Sequence, residues 1–139
     1  MNIPSSDIKD LLAITQDLKA EGYRLGQICA TLNRQINKQK DFDFRLGQIL
    51  KAGNSAIEIL YTFVKDNRVK NYKFILSAVS PRVQSITAIY PYAFVYENEI
   101  HDLFGITFKN LTPDYGGNFY KLAKKTPWNP PAHEEKKNG

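Results

Sequence analysis

The chain is short of the side chains that build redox and structural-metal centres. It has one cysteine, Cys29, and two histidines, His101 and His133. A lone cysteine excludes an internal disulfide framework and four-cysteine ligation of an iron-sulfur cluster. With two histidines it closes a structural zinc site only if carboxylates join. No apolar run approaches the roughly 18 residues that a membrane-crossing helix needs, so a soluble domain is expected. The first residues show no basic segment followed by an apolar one, which makes the cytosol the expected compartment. Acidic residues are the scarcer sign, 14 against 19 basic, for a net charge of +5. That surplus is uneven: Lys121, Lys124, Lys125, Lys136 and Lys137 outnumber Glu134 and Glu135 near the end, while residues 1–120 are close to balance. A basic tail on a near-neutral body, without the arginine-aromatic strand pattern of an RNA-recognition domain, argues against a nucleic-acid partner. A small basic nucleic-acid-binding domain remains the alternative from the binding class.

What is present suits one α/β (α+β) domain. The 139 residues are 42% hydrophobic and 24% charged, enough for one core. An amphipathic helix is expected first, with Ser5 or Ser6 as cap, Asp7 and Asp10 at its positive end, and Ile8, Leu11, Leu12 and Leu18 on one face. Gly22 stops it. Tyr23 to Ala30 alternates in part and reads as a first strand. The pentapeptide Arg-Leu-Gly-Gln-Ile occurs at 24–28 and again at 45–49, either by coincidence or as two similar strands; a solenoid needs at least about three repeats. Ala56 to Val64 is the clearest strand, Lys65 to Arg68 a turn, and Tyr72 to Val79 its antiparallel partner, ended by Pro81.

Between Pro91 and Gly105 the residues predict a second helix, proline in its first turn and glycine just past its end. Ala93, Tyr96, Ile100, Leu103 and Phe104 share an apolar face, and Glu97 lands in the middle of it. Glu99 and Asp102 point to the opposite side. A carboxylate among apolar residues needs a dedicated partner; Arg82, Arg24, Arg45 or backbone amides are the candidates. Glu97 and His101, four apart, could also converge on one ion, which keeps open a stand-alone metal-binding enzyme on this helix. No second ligand cluster accompanies them. Beyond Gly105 the prolines and glycines break all periodicity, and an extended tail is expected over 113–139, after a domain at 1–112. Its aromatics, Tyr115, Phe119, Tyr120 and Trp128, suit a segment that orders on a partner. A disordered terminus and a fold back onto the domain are the other possibilities.

The stretch from Tyr90 to Phe108 resembles the signature of the 30 kDa subunit family of respiratory complex I, the NADH-quinone oxidoreductase. Members carry Glu-Arg-Glu, two variable residues, Asp, Met or Leu, Phe, Gly, and a Phe shortly after. Glu97, Glu99, Asp102, Leu103, Phe104, Gly105 and Phe108 match, and Asn98 replaces the usual arginine. The upstream order agrees: a helix, Gly22-Tyr23, a strand such as Glu58 to Phe63, a second strand, and Ser85 ahead of Tyr90-Pro91. The resemblance covers roughly residues 5–110. Where quinone-reductase members continue into Gly-His-Pro-Asp-Leu-Arg, this sequence runs Lys109 to Gly117 without it, more like the short homologous subunit of membrane-bound energy-converting [NiFe] hydrogenases.

The resemblance implies a non-redox accessory subunit with no catalytic centre and no cofactor of its own. Glu97, Glu99, Asp102, Phe104, Gly105 and Phe108 are then motif and interface residues. The implied partners are a large [NiFe]-hydrogenase-like or quinone-site subunit and a small iron-sulfur subunit, which carry the clusters and the nickel-iron centre. Contact with membrane subunits is indirect, and the complex lies on the inner face of the cell membrane, coupling electron transport to ion translocation.

Overall fold

A computed structural model describes residues 5–33, 48–49, 55–116, 119 and 126–129. Arg45 and Tyr120 lie outside the described residues. A turn of 3-10 helix, Ile8–Asp10, leads into α1, Leu11–Ala20. The cap is Asp7 and neither serine: its extended backbone lets the carboxylate accept from the Lys9 amide at 3.0 Å. Leu11, Thr15 and Leu18 form the buried stripe, and the Thr15 hydroxyl is satisfied by donating back to the Leu11 and Leu12 carbonyls. Gly22, at φ +91°, ends α1. There the amides of Gly22 and Tyr23 return to the carbonyls of Lys19 and Leu18, a glycine-dependent C-terminal cap.

Three antiparallel strands follow in spatial order β1-β2-β3: β1 is Arg24–Asn33, β2 Ala56–Lys65 and β3 Arg68–Ser77. The register brings Ile28, Tyr61 and Tyr72 into one row, Ala30, Ile59 and Phe74 into the next, and Leu32, Ile57 and Leu76 into a third. This alternating set joins Leu11 and Leu18 in the core. Gly26 sits where the β1–β2 register slips; a β-carbon there would come within 3.2 Å of the Thr62 carbonyl oxygen and of Val64. The second strand of the hairpin starts at Arg68, earlier than its apolar residues indicate, and stops at Ser77. The two-residue turn Asp66-Asn67 pairs Lys65 with Arg68, so backbone pairing carries the polar residues 68–71 into the ladder. Of the second Arg-Leu-Gly-Gln-Ile copy, Gln48 and Ile49 are described and are helical, which removes the two-strand reading at those positions.

The second helix, α2, spans Ala93–Phe104, beginning two residues after Pro91 and closing on Gly105 at φ +77°. Two short strands absent from the sequence expectation flank it: β4, Arg82–Gln84, and β5, Thr107–Lys109, which pair in parallel with α2 as the crossover. The result is a small α+β domain. This second pairing draws the residues just after β4 against the side of α2.

Candidate functional site

Helix α2 is buried on two sides, and each side binds a different piece of chain. On the apolar side Glu97 is fully buried. Its Oε1 accepts from the Ser85 hydroxyl at 2.5 Å and its Oε2 from the Ile86 amide at 3.0 Å. Of the partners expected from sequence, the backbone amide is the one found, joined by a hydroxyl. Arg24 and Arg82 are exposed and make no pair with it, because β1 and β4 turn those side chains to solvent. Burial raises the Glu97 carboxyl to about 7, with the two hydrogen bonds opposing. Tyr61 of β2 lies across from it, fully buried, its hydroxyl without a hydrogen-bond partner among the described residues. Burial first, and then the Glu97 charge, push that phenol well above its ordinary value.

On the other side Asn98, also fully buried, clamps the chain after β5. Its Nδ2 donates to the carbonyls of Phe94 at 2.8 Å and Pro113 at 2.9 Å, and its Oδ1 accepts from the Tyr115 amide at 3.0 Å. Asp102, one turn along, is buried too, at 4% exposure. The side of α2 opposite its apolar face, where periodicity puts Asp102, is therefore covered as well. Glu99 is half-buried. Phe104 and Phe108 are core residues. Gly105 is the helix cap, and a β-carbon there would meet the Thr126 methyl at 2.9 Å.

His101 donates from Nδ1 to the Ile106 carbonyl at 2.7 Å, binding the turn that follows the helix. Glu97 and His101 thus serve different neighbours, although their spacing allows a shared ion. Among the described residues no three His, Cys, Asp or Glu side chains come together as a metal set, and no helix is long and apolar enough to cross a membrane.

The described parts of the tail fold back on the domain. Tyr115 stacks on Phe94 at a centroid distance of 6.5 Å, and Phe119 meets Tyr115 edge-on at 5.3 Å. Trp128 stands edge-on to Phe104 at 5.4 Å. Its amide donates to the Leu103 carbonyl, and Asn129 Nδ2 to those of Phe104 and Ala78. Helix ends leave such carbonyls unbonded, so residues 128–129 complete the C-terminus of α2. Tyr115 and Trp128 nonetheless keep about half their surface, at 46% and 55% exposure, and Tyr92 keeps 82%. Sequence reasoning missed Asn98, Ser85, Thr87 and Asn129 as organising residues. Asn98 and Ser85 had a signal, the first as an uncharged amide where the resembling family carries arginine and the second through its place ahead of Tyr90-Pro91; Thr87 and Asn129 had none beyond being polar.

A helix whose buried polar side chains hold its own loops, and beside which aromatics stand exposed, belongs to a small domain of the α+β class. The chain belongs to the respiratory-chain NADH dehydrogenase 30 kDa subunit family, whose model matches residues 1–115. The fold is similar to that of a chain in the membrane-bound sulfane sulfur reductase, an archaeal respiratory membrane complex. That likeness has a TM-score of 0.61 and 15% identity over 96% of this chain and 74% of the other. No curated protein sequence matches significantly.

Proposed function

We propose that the chain is a non-redox docking subunit of a membrane-associated, energy-converting oxidoreductase, of the [NiFe]-hydrogenase or the quinone-reductase type. In this reading it seats against a large catalytic subunit and a small iron-sulfur subunit, which carry the redox groups. The complex lies peripherally on the inner face of the cell membrane and couples electron transfer to ion translocation. The observation that carries the reading is the exposure of large aromatic and apolar residues around α2: Tyr92 and Val95 at its first turn, Tyr115 against Phe94, and Trp128 against Phe104. Large side chains with an apolar body and a polar tip, held by a rigid helix, anchor interfaces at low entropic cost. Family membership and the likeness to a respiratory-complex chain support the same reading.

Native-level purification of the tagged chain tests it. Recovery with a large nickel-iron or quinone-site subunit and a cluster-bearing small subunit is expected, and loss of both partners in the Tyr115→Ala/Trp128→Ala chain with an unchanged Tm would tie docking to these two side chains. Purification of the wild-type chain alone would refute the reading.

A further inference from the structure

Docking leaves the buried carboxyl of Glu97 unused, and the hydrogen bonds around it lead out of the core. The Ser85 hydroxyl that meets Glu97 lies 2.7 Å from the Thr87 hydroxyl and accepts from the Thr87 amide at 3.1 Å. Thr87 Oγ1 in turn accepts from the Thr112 amide at 3.4 Å. A continuous path therefore runs from the interior carboxyl, through two hydroxyls, to the segment that Asn98 clamps from the other side.

Both hydroxyls can reverse. When Glu97 is ionised, Ser85 must donate to it and Thr87 to Ser85. When Glu97 is neutral, its own proton can go to Ser85, Ser85 donates to Thr87, and Thr87 Oγ1 receives from both Ser85 and Thr112. We propose that Glu97 is a proton-operated latch: the neutral acid locks the 85–87 loop and the Thr112 segment onto α2, and loss of the proton loosens them. Glu97 is fully buried, and no cation among the described residues pairs with it. The groups that face it are Tyr61 from β2, a phenol that stays neutral, and the two hydroxyls and the amide of residues 85–87. On its own helix His101 is turned to Ile106. An uncompensated carboxylate in such a place gains more from water than from two hydrogen bonds, so ionisation favours any opening of the contact between residues 85–87 and α2 that admits water. The raised value of the Glu97 carboxyl agrees with this geometry. The latch rests on this hydrogen-bond path and is independent of the docking reading.

The test is NMR on the full chain with 13C-labelled glutamate. The Glu97 carboxyl carbon is expected to titrate near neutrality. Over the same interval the exchange of the Thr87 and Thr112 amides, corrected for base catalysis, should rise roughly tenfold or more. In Glu97→Gln, a neutral mimic able to donate, that exchange should stay flat. In Ser85→Ala, Glu97 should still titrate while the Thr112 exchange loses its pH dependence, which keeps the test decisive if Glu97→Gln does not fold. An ordinary glutamate midpoint, or a Thr112 pH dependence that survives in either variant, would overturn the proposal.

Discussion

Asn98 holds one stretch of chain at two points: its Nδ2 bonds the Pro113 carbonyl at 2.9 Å while its Oδ1 bonds the Tyr115 amide at 3.0 Å. All the hydrogen-bonding capacity of its carboxamide that faces the segment is used inside the molecule. Tyr115 reaches Phe94 because of this clamp, so an exposed part of the surface depends on a buried amide. Asn98→Ala is expected to cost about 2–4 kcal/mol, since buried groups lose partners. It should also increase protease cleavage near Tyr115 well before global unfolding. Urea denaturation alongside timed proteolysis measures both.

Glu97→Ala strands the Ile86 amide, leaves the Ser85 hydroxyl only Thr87 to bond and opens a cavity, for an expected loss of about 3 kcal/mol. Glu99→Ala, at a half-buried position, should cost less than about 1 kcal/mol and act on recovery of the complex. Asp102→Ala is expected to behave like Glu97→Ala, because Asp102 is buried. Thermal melts of the three variants set the order; a larger thermal loss for Glu99→Ala than for Glu97→Ala would reverse the assignment.

The pH dependence of stability has a definite sign. Glu97 binds its proton up to about 7 in the folded chain, against an ordinary value of 4.5. The folded state therefore holds more protons between these values. Its contribution is whole below the unfolded value, falls as pH rises through this interval and levels off above it, by up to about 3 kcal/mol. Unfolding free energies of wild type and Glu97→Gln, taken across pH 4 to 8, isolate this contribution as their difference, which should be flat if Glu97 titrates normally.

Tyr61→Phe removes a buried hydroxyl that has no partner among the described residues. The substitution should leave stability unchanged or raise it by about 1 kcal/mol, because no hydrogen bond is lost and a desolvated polar group is gone. A loss above about 1 kcal/mol in chemical denaturation would mean that the hydroxyl is bonded.

Gly105→Ala meets two obstacles, the positive φ of the cap and the Thr126 methyl at 2.9 Å. A cost of about 1–2 kcal/mol is expected. Combining it with Thr126→Ser, which removes a methyl group, should restore part of that loss, and a double-mutant cycle by thermal melting reads the coupling.

Much of this architecture is legible in the order of the residues. The apolar spacing and the Pro91–Gly105 brackets place α2 to within two residues, and β-branched alternation locates the β2–β3 hairpin. The family signature is readable because Glu97, Glu99, Asp102, Phe104, Gly105 and Phe108 lie close together in sequence. Periodicity also places Glu97 on the apolar face. It also puts Asp102 on the opposite side, but a periodic pattern carries nothing about whether an aperiodic segment covers that side, and Asp102 is buried there.

The sequence by itself determined the inventory and the local elements: no cysteine set for a cluster, one core, a helix with an acid on its apolar face, and a tail rich in aromatics. These follow from short-range chemistry, where side-chain spacing and backbone preference act within a few residues. Tertiary structure alone decided the partners. The parallel pairing of Arg82–Gln84 with Thr107–Lys109 joins three-residue strands across the whole of α2, too short to leave a pattern. That pairing brings Ser85 and Ile86 to Glu97 in place of an arginine. The clamp of Asn98 on Pro113 and Tyr115, and the return of Trp128 to Phe104, likewise depend on long-range backbone groups, whose hydrogen bonds carry no trace of which residue supplied them.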